Sequence, residues 1–145
     1  MQNRSVPVET ILPHVTYLNV DRAIRWLAEV FGFEEHYRYG PPHEPQGAQL
    51  HLGGAWIMLN APRESRTSPA KIGHHTQSLT VFVPDVDAHC ARAKSAGAVI
   101  VEEVNEPVYG ERQYAAIDPE GHRWLFSQHV RNVDPAEWGA IVSGD

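Results

Sequence analysis

A chain of 145 residues, 42% hydrophobic and 21% charged, has the size and composition of one ordinary folded domain, which excludes a disordered or collagen-like protein. Its formal charge of -6, with 12 scattered Lys and Arg, supplies no basic stripe for nucleic acid. No apolar run approaches the roughly 18 residues that cross a bilayer, and the start, Met1 to Arg4, leads into no signal-peptide region, so no membrane partner and a cytoplasmic location are expected.

The first element is a strand from Ile11 to Val20, where His14, Thr16 and Leu18 alternate with Val15, Tyr17 and Asn19. Asp21 is then expected to cap a helix. Ala23, Trp26, Leu27 and Val30 follow at i, i+3, i+4 and i+7, and Gly32 stops it. Short strands are predicted at Phe33 to Tyr39, Gly47 to Leu52 and Ala55 to Asn60, separated by Gly40-Pro41-Pro42 and Gly53-Gly54. Ala61 to Thr76 has no period and reads as a connecting loop.

A strand from Gln77 to Val83 comes next, then a helix from about Asp85 to Ala96 that ends at Gly97. The lone cysteine, Cys90, shares a helical face with Val86 and Ala93, which predicts a buried, inert thiol. Further strands are expected near Val99 to Glu103, Arg112 to Ile117 and His122 to Gln128. Each half therefore reads β-α-β-β-β, an element-order repeat in which Gly32 falls on Gly97. Three strands in succession without helices exclude a parallel α/β sheet and point to an α+β protein with two helix-covered sheets. The expected divisions are a first module at about 10–60, a linker at 61–75, a second module at about 76–128 and an extension at 129–145.

Several segments carry a family resemblance over nearly the whole chain. Asp21 to Phe33, with its aromatic near the middle and its Phe31-Gly32-Phe33 ending, resembles the first helix of the vicinal oxygen chelate superfamily, which contains the glyoxalases, bleomycin resistance proteins and dioxygenases. Val83 to Ala88 and Ala96 to Ala98 resemble the second helix and its end. Asp118-Pro119-Glu120-Gly121-His122 is similar to the turn that opens the family's last strand, although Pro119 and Gly121 would suit any such turn. The ending, Ser127 to Glu137, resembles the PhnB-like or bleomycin-resistance-like branch. The resemblance implies a single domain of two βαβββ modules forming a half-open barrel.

It also implies four inward positions that hold a metal in the family's metal-dependent members. Here they fall on His14, which stands seven residues before Asp21, and on Met58, Ser78 and Leu125. A catalytic divalent ion normally needs three His, Cys, Asp or Glu ligands, so no metal and no cofactor are expected. The remaining histidines include no His-x-His or His-Glu-x-x-His pattern.

Residues sharing the inward faces form the candidate ligand site: His14, Gln49, His51, Trp56 and Arg123, with Thr16 and Thr80 beside them. Trp56 either stacks on a planar ligand or fills the sheet interface. Pro107 to Tyr114 stands where the family places a loop over the cleft, which adds Tyr109, Arg112 and Tyr114; a surface hairpin is the alternative. Two functions follow from the resemblance. One is metal-independent binding or sequestration of a small molecule by a homodimer; the other is a metal-dependent lyase, isomerase or dioxygenase.

Overall fold

The structure is a computed structural model that describes Ser5 and residues 11–144; Met1 to Arg4 lie outside that range. The chain divides into two compact units, one of residues 1–76 with 119–122 and one of residues 77–118 with 123–145. Both are built on the same plan, so the architecture is α+β, with two βαβββ-like modules.

In the first unit β1 (His14–Thr16) leads into α1 (Val20–Trp26), and β2 (Glu34–Tyr39), β3 (Gly47–Leu52) and β4 (Ala55–Asn60) follow. The strands form one sheet in the order β1-β4-β3-β2, with β1 parallel to β4 and the other pairs antiparallel. Alternation sends Val15, Tyr17, Ala48, Leu50, Ile57 and Leu59 to one face, all at 5% exposure or less. They meet the buried stripe of α1 and the π-helical turn that continues it from Leu27 to Phe31. Burial of each large aliphatic side chain contributes about 1.5–3 kcal/mol. That side is the core, and among the described residues of this unit no helix covers the opposite face of the sheet.

The cap of α1 is Asn19 and not the expected Asp21. The Asn19 side chain accepts from Arg22 N, three residues on, at 2.9 Å, and its backbone is extended as a cap requires. Asp21 instead takes Arg25 and Arg38, each at 3.0 Å, and the Arg38 guanidinium holds its carboxyl below the usual value. Gly32 ends the turn at φ 88° as expected.

The expected loop at 61–76 contains a short helix, α2 (Pro69–Ile72), capped by Ser68. Four residues give too few turns for a readable period. The turn at 119–122 packs on this first unit. The Glu120 carboxylate is 7% exposed and accepts from Leu18 N at 2.6 Å and Asn19 N at 3.0 Å. His122 Nε2 lies 2.6 Å from the Thr16 carbonyl, and Gly121, at φ 88°, passes so close to Pro69 that an added Cβ would lie 3.1 Å from the proline's own. The turn residues behind the family resemblance thus hold the entry to α1.

The second unit repeats the plan with β5 (Ser78–Phe82), α3 (Val86–Ser95), β6 (Val99–Asn105), β7 (Glu111–Ile117) and β8 (Arg123–His129), in the sheet order β5-β8-β7-β6. Asp85 caps α3 by accepting from Ala88 N. Val86, Cys90 and Ala93 form its buried stripe, and burial pushes the Cys90 thiol up. Trp124, 1% exposed, anchors the facing core and donates from Nε1 to Asp118 at 3.0 Å. A single turn of 3-10 helix, Pro135–Trp138, lies in the C-terminal extension. No helix among the described residues is long and apolar enough to cross a membrane.

Candidate ligand-binding site

The helix-free face of the first sheet is polar and aromatic, unlike its other face. Register places His14 beside Met58, Met58 beside Gln49, and Gln49 beside Tyr37 in one row across all four strands. A second row runs from Trp56 through His51 to Glu34. Gln49, His51, Trp56 and His14 therefore share one face, as expected.

Tyr37 joins them because β2 is irregular. Strict alternation from Glu34 would turn Tyr37 toward the core, but the register shifts between Glu35 and Tyr37. The extra residue, His36, lets both ring side chains reach Gln49. Sequence periodicity alone does not reveal a bulge, which is why Tyr37 and His36 were absent from the expected set.

Gln49 is fully buried and its amide is bonded on both sides. Nε2 donates to the Ser5 carbonyl at 3.0 Å, and Oε1 lies 2.7 Å from His36 Nδ1. An oxygen can only accept, so in this arrangement His36 carries its proton on Nδ1. The Tyr37 hydroxyl donates to the same Ser5 carbonyl at 2.8 Å. Burial, with Tyr39 nearby, raises the Tyr37 pKa, which keeps the phenol a donor. Beside this cluster Trp56 stacks on His51 at 4.5 Å with 19° between the planes, and His36 meets it edge-on at 5.7 Å. Trp56 is half-buried.

His14 is exposed, with Nδ1 2.9 Å from Asn60 Oδ1. Donation to that oxygen places the proton on Nδ1 and leaves Nε2 as the ring's acceptor. The second module's counterpart of His14 is Thr80 and not Ser78. Measured from the true caps, Asn19 and Asp85, both stand five residues upstream, and Thr80 pairs with Leu125 as His14 pairs with Met58. The family's four metal positions therefore hold His14, Met58, Thr80 and Leu125. One imidazole, a thioether, a hydroxyl and an alkyl group do not fit a catalytic divalent ion. Among the described residues no group of three or more His, Cys, Asp or Glu is placed to hold one.

The second unit treats its candidates differently. Arg123 lies on the helix-free face of its sheet, in the row of Ser78 and Ile117, and is paired to Glu102 at 3.1 Å. Tyr109 donates to Gln113 Oε1 at 2.8 Å and meets Trp138 edge-on. Arg112 and Tyr114, expected both to open a strand and to close a loop over the cleft, lie in β7 and point to its helix side. Tyr114 is fully buried, 2.6 Å from His89 Nδ1 and stacked on Phe126. Arg112 is held by Asp87 through two contacts of 2.8 Å. The strand begins earlier than its sequence suggests because Glu111 already pairs with His129.

The sequence profile of the Glyoxalase/Bleomycin resistance protein/Dioxygenase superfamily matches residues 11–126. The chain belongs to this family. The uncharacterized protein Mb0911c of Mycobacterium bovis is 32% identical over 146 residues, covering 96% of each chain. The crystal structure of TioX from Micromonospora sp. ML1 superposes with a TM-score of 0.72 at 35% identity, over 84% of this chain and 99% of that one. TnmS3, an antibiotic binding protein from Streptomyces sp. CB03234, shares the superfamily fold with a TM-score of 0.62 at 20% identity, over 86% and 99%.

Proposed function

We propose that the protein is a metal-independent binding or sequestering member of the superfamily that takes a small planar molecule on the helix-free face of its first sheet. The observation that carries this reading is the convergence of two hydrogen-bond donors, from Tyr37 and Gln49, beside the Trp56–His51 ring pair. Stacking supplies affinity for a flat ligand, and two fixed donors orient it. His14 flanks the same row and Arg123 lies on the corresponding face of the second sheet. The antibiotic binding by TnmS3 is consistent with such a role on this fold, and the bleomycin-resistance-like or PhnB-like branch remains the one its C-terminal sequence resembles.

The test is calorimetric titration with 2-naphthamide, a planar probe with a single amide group. Saturable binding is expected, and Trp56→Ala should weaken it about thirtyfold, the loss typical of an aromatic anchor. Unchanged affinity in that variant refutes the site. Metal analysis discriminates the lyase, isomerase or dioxygenase alternative. About one divalent ion per chain, lost with His14→Ala, would favour it over the binding reading.

A further inference from the structure

We propose that Ser5 is a competing occupant of this site, its carbonyl standing where a ligand's neutral carbonyl oxygen binds. The inference rests on the binding reading above and names the ligand chemistry. Ser5 is itself exposed, yet its carbonyl is turned onto the sheet and accepts from both Tyr37 and Gln49. One carbonyl with two donors is the arrangement an amide, ketone or lactone would reproduce.

Charge narrows the class further. The rows containing His14, Met58, Gln49, Tyr37, Trp56 and His51 include no Lys or Arg. The one cation of β2, Arg38, alternates to the other face and is held by Glu35 and Asp21. A carboxylate seated on Tyr37 and Gln49 would lose water without gaining a countercharge from either row. A neutral carbonyl loses far less. Occupation by Ser5 also reduces the apparent affinity for any ligand by the fraction of molecules in which the cradle is open.

The Arg4–Ser5 bond makes the seating measurable, because trypsin cannot accept it while the Ser5 carbonyl is held. Cleavage there is timed in the full chain against cleavage after Arg66, an exposed internal reference. Tyr37→Phe removes one of the two donors and should speed Arg4–Ser5 cleavage about fivefold relative to that reference, since proteolysis follows the open population. An unchanged ratio overturns the seating. Saturating 2-naphthamide should accelerate the same cleavage in the unaltered chain, and 2-naphthoate should bind at least about tenfold more weakly. If calorimetry shows 2-naphthamide bound with the cleavage ratio unaltered, competition is refuted while small-molecule binding survives. If Tyr37→Phe accelerates cleavage and 2-naphthamide does not bind, the seating stands and the small-molecule reading fails. Equal affinity for 2-naphthoate overturns the neutral-carbonyl class.

Discussion

Replacement of Glu120 by Ala should destabilise the protein by about 3 kcal/mol, although the residue lies in a turn. Its carboxylate accepts two backbone hydrogen bonds, from Leu18 and Asn19, at 2.6 and 3.0 Å. A hydrogen bond to a charged group contributes about 1.5–3 kcal/mol. Leu18 and Asn19 are exposed, so water can replace part of what is lost, and the lower bound for each bond applies. Glu120→Gln keeps one accepting oxygen but places an amide N–H toward a backbone donor, so it should cost nearly as much as alanine.

Urea unfolding followed by circular dichroism measures the loss, as a lower midpoint at constant slope. For a chain of this size about 3 kcal/mol corresponds to roughly 6–12 °C in Tm. Because Asn19 caps α1, the loss should be accompanied by faster amide exchange in the first turn of that helix. A loss below about 1 kcal/mol for Glu120→Ala would refute the reasoning and make the carboxylate an ordinary surface group.

Three further outcomes are expected. Tyr114→Phe leaves His89 without the phenol and should cost about 1–2 kcal/mol in urea unfolding while leaving 2-naphthamide affinity unchanged; a selective affinity loss would return Tyr114 to the site. Gly110→Ala combines φ 91° with a Cβ only 2.2 Å from the Arg131 carbonyl, so a loss of more than about 2 kcal/mol is expected, and a near-neutral melt would contradict the turn. The strands β1 and β5 lie at sheet edges, and Phe82, on the helix-free face of β5, is 63% exposed, which together favour a homodimer in light scattering; a monomer at all concentrations would refute it.

Period-two alternation made the faces of the first module legible, since Val15, Leu50, Ile57 and Leu59 are aliphatic where His14, Gln49 and Trp56 are not. The same rule failed where geometry departs from it. The β2 bulge inserts His36 without any glycine or proline to mark it, so the residue that completes the donor pair, Tyr37, sits at a parity that simple counting assigns to the core. The second module's counterpart of His14, expected at Ser78, is Thr80, two residues further along the same face. That error was harmless to the metal argument, because a two-residue slip preserves the face and both side chains end in a hydroxyl. Tyr114 was lost for a different reason. Its place over the cleft rested on the family position of a loop, whereas the register of β7 with β8 sets Tyr114 opposite Phe126 on the helix side and buries the phenol. Local residue type thus identified the core and the polar face, while the atoms that converge on one oxygen depended on a bulge and on a segment 44 residues away from Gln49. Such convergence costs nothing in local propensity and leaves no periodic trace, so a binding cradle can be missed in a sequence whose fold is plain.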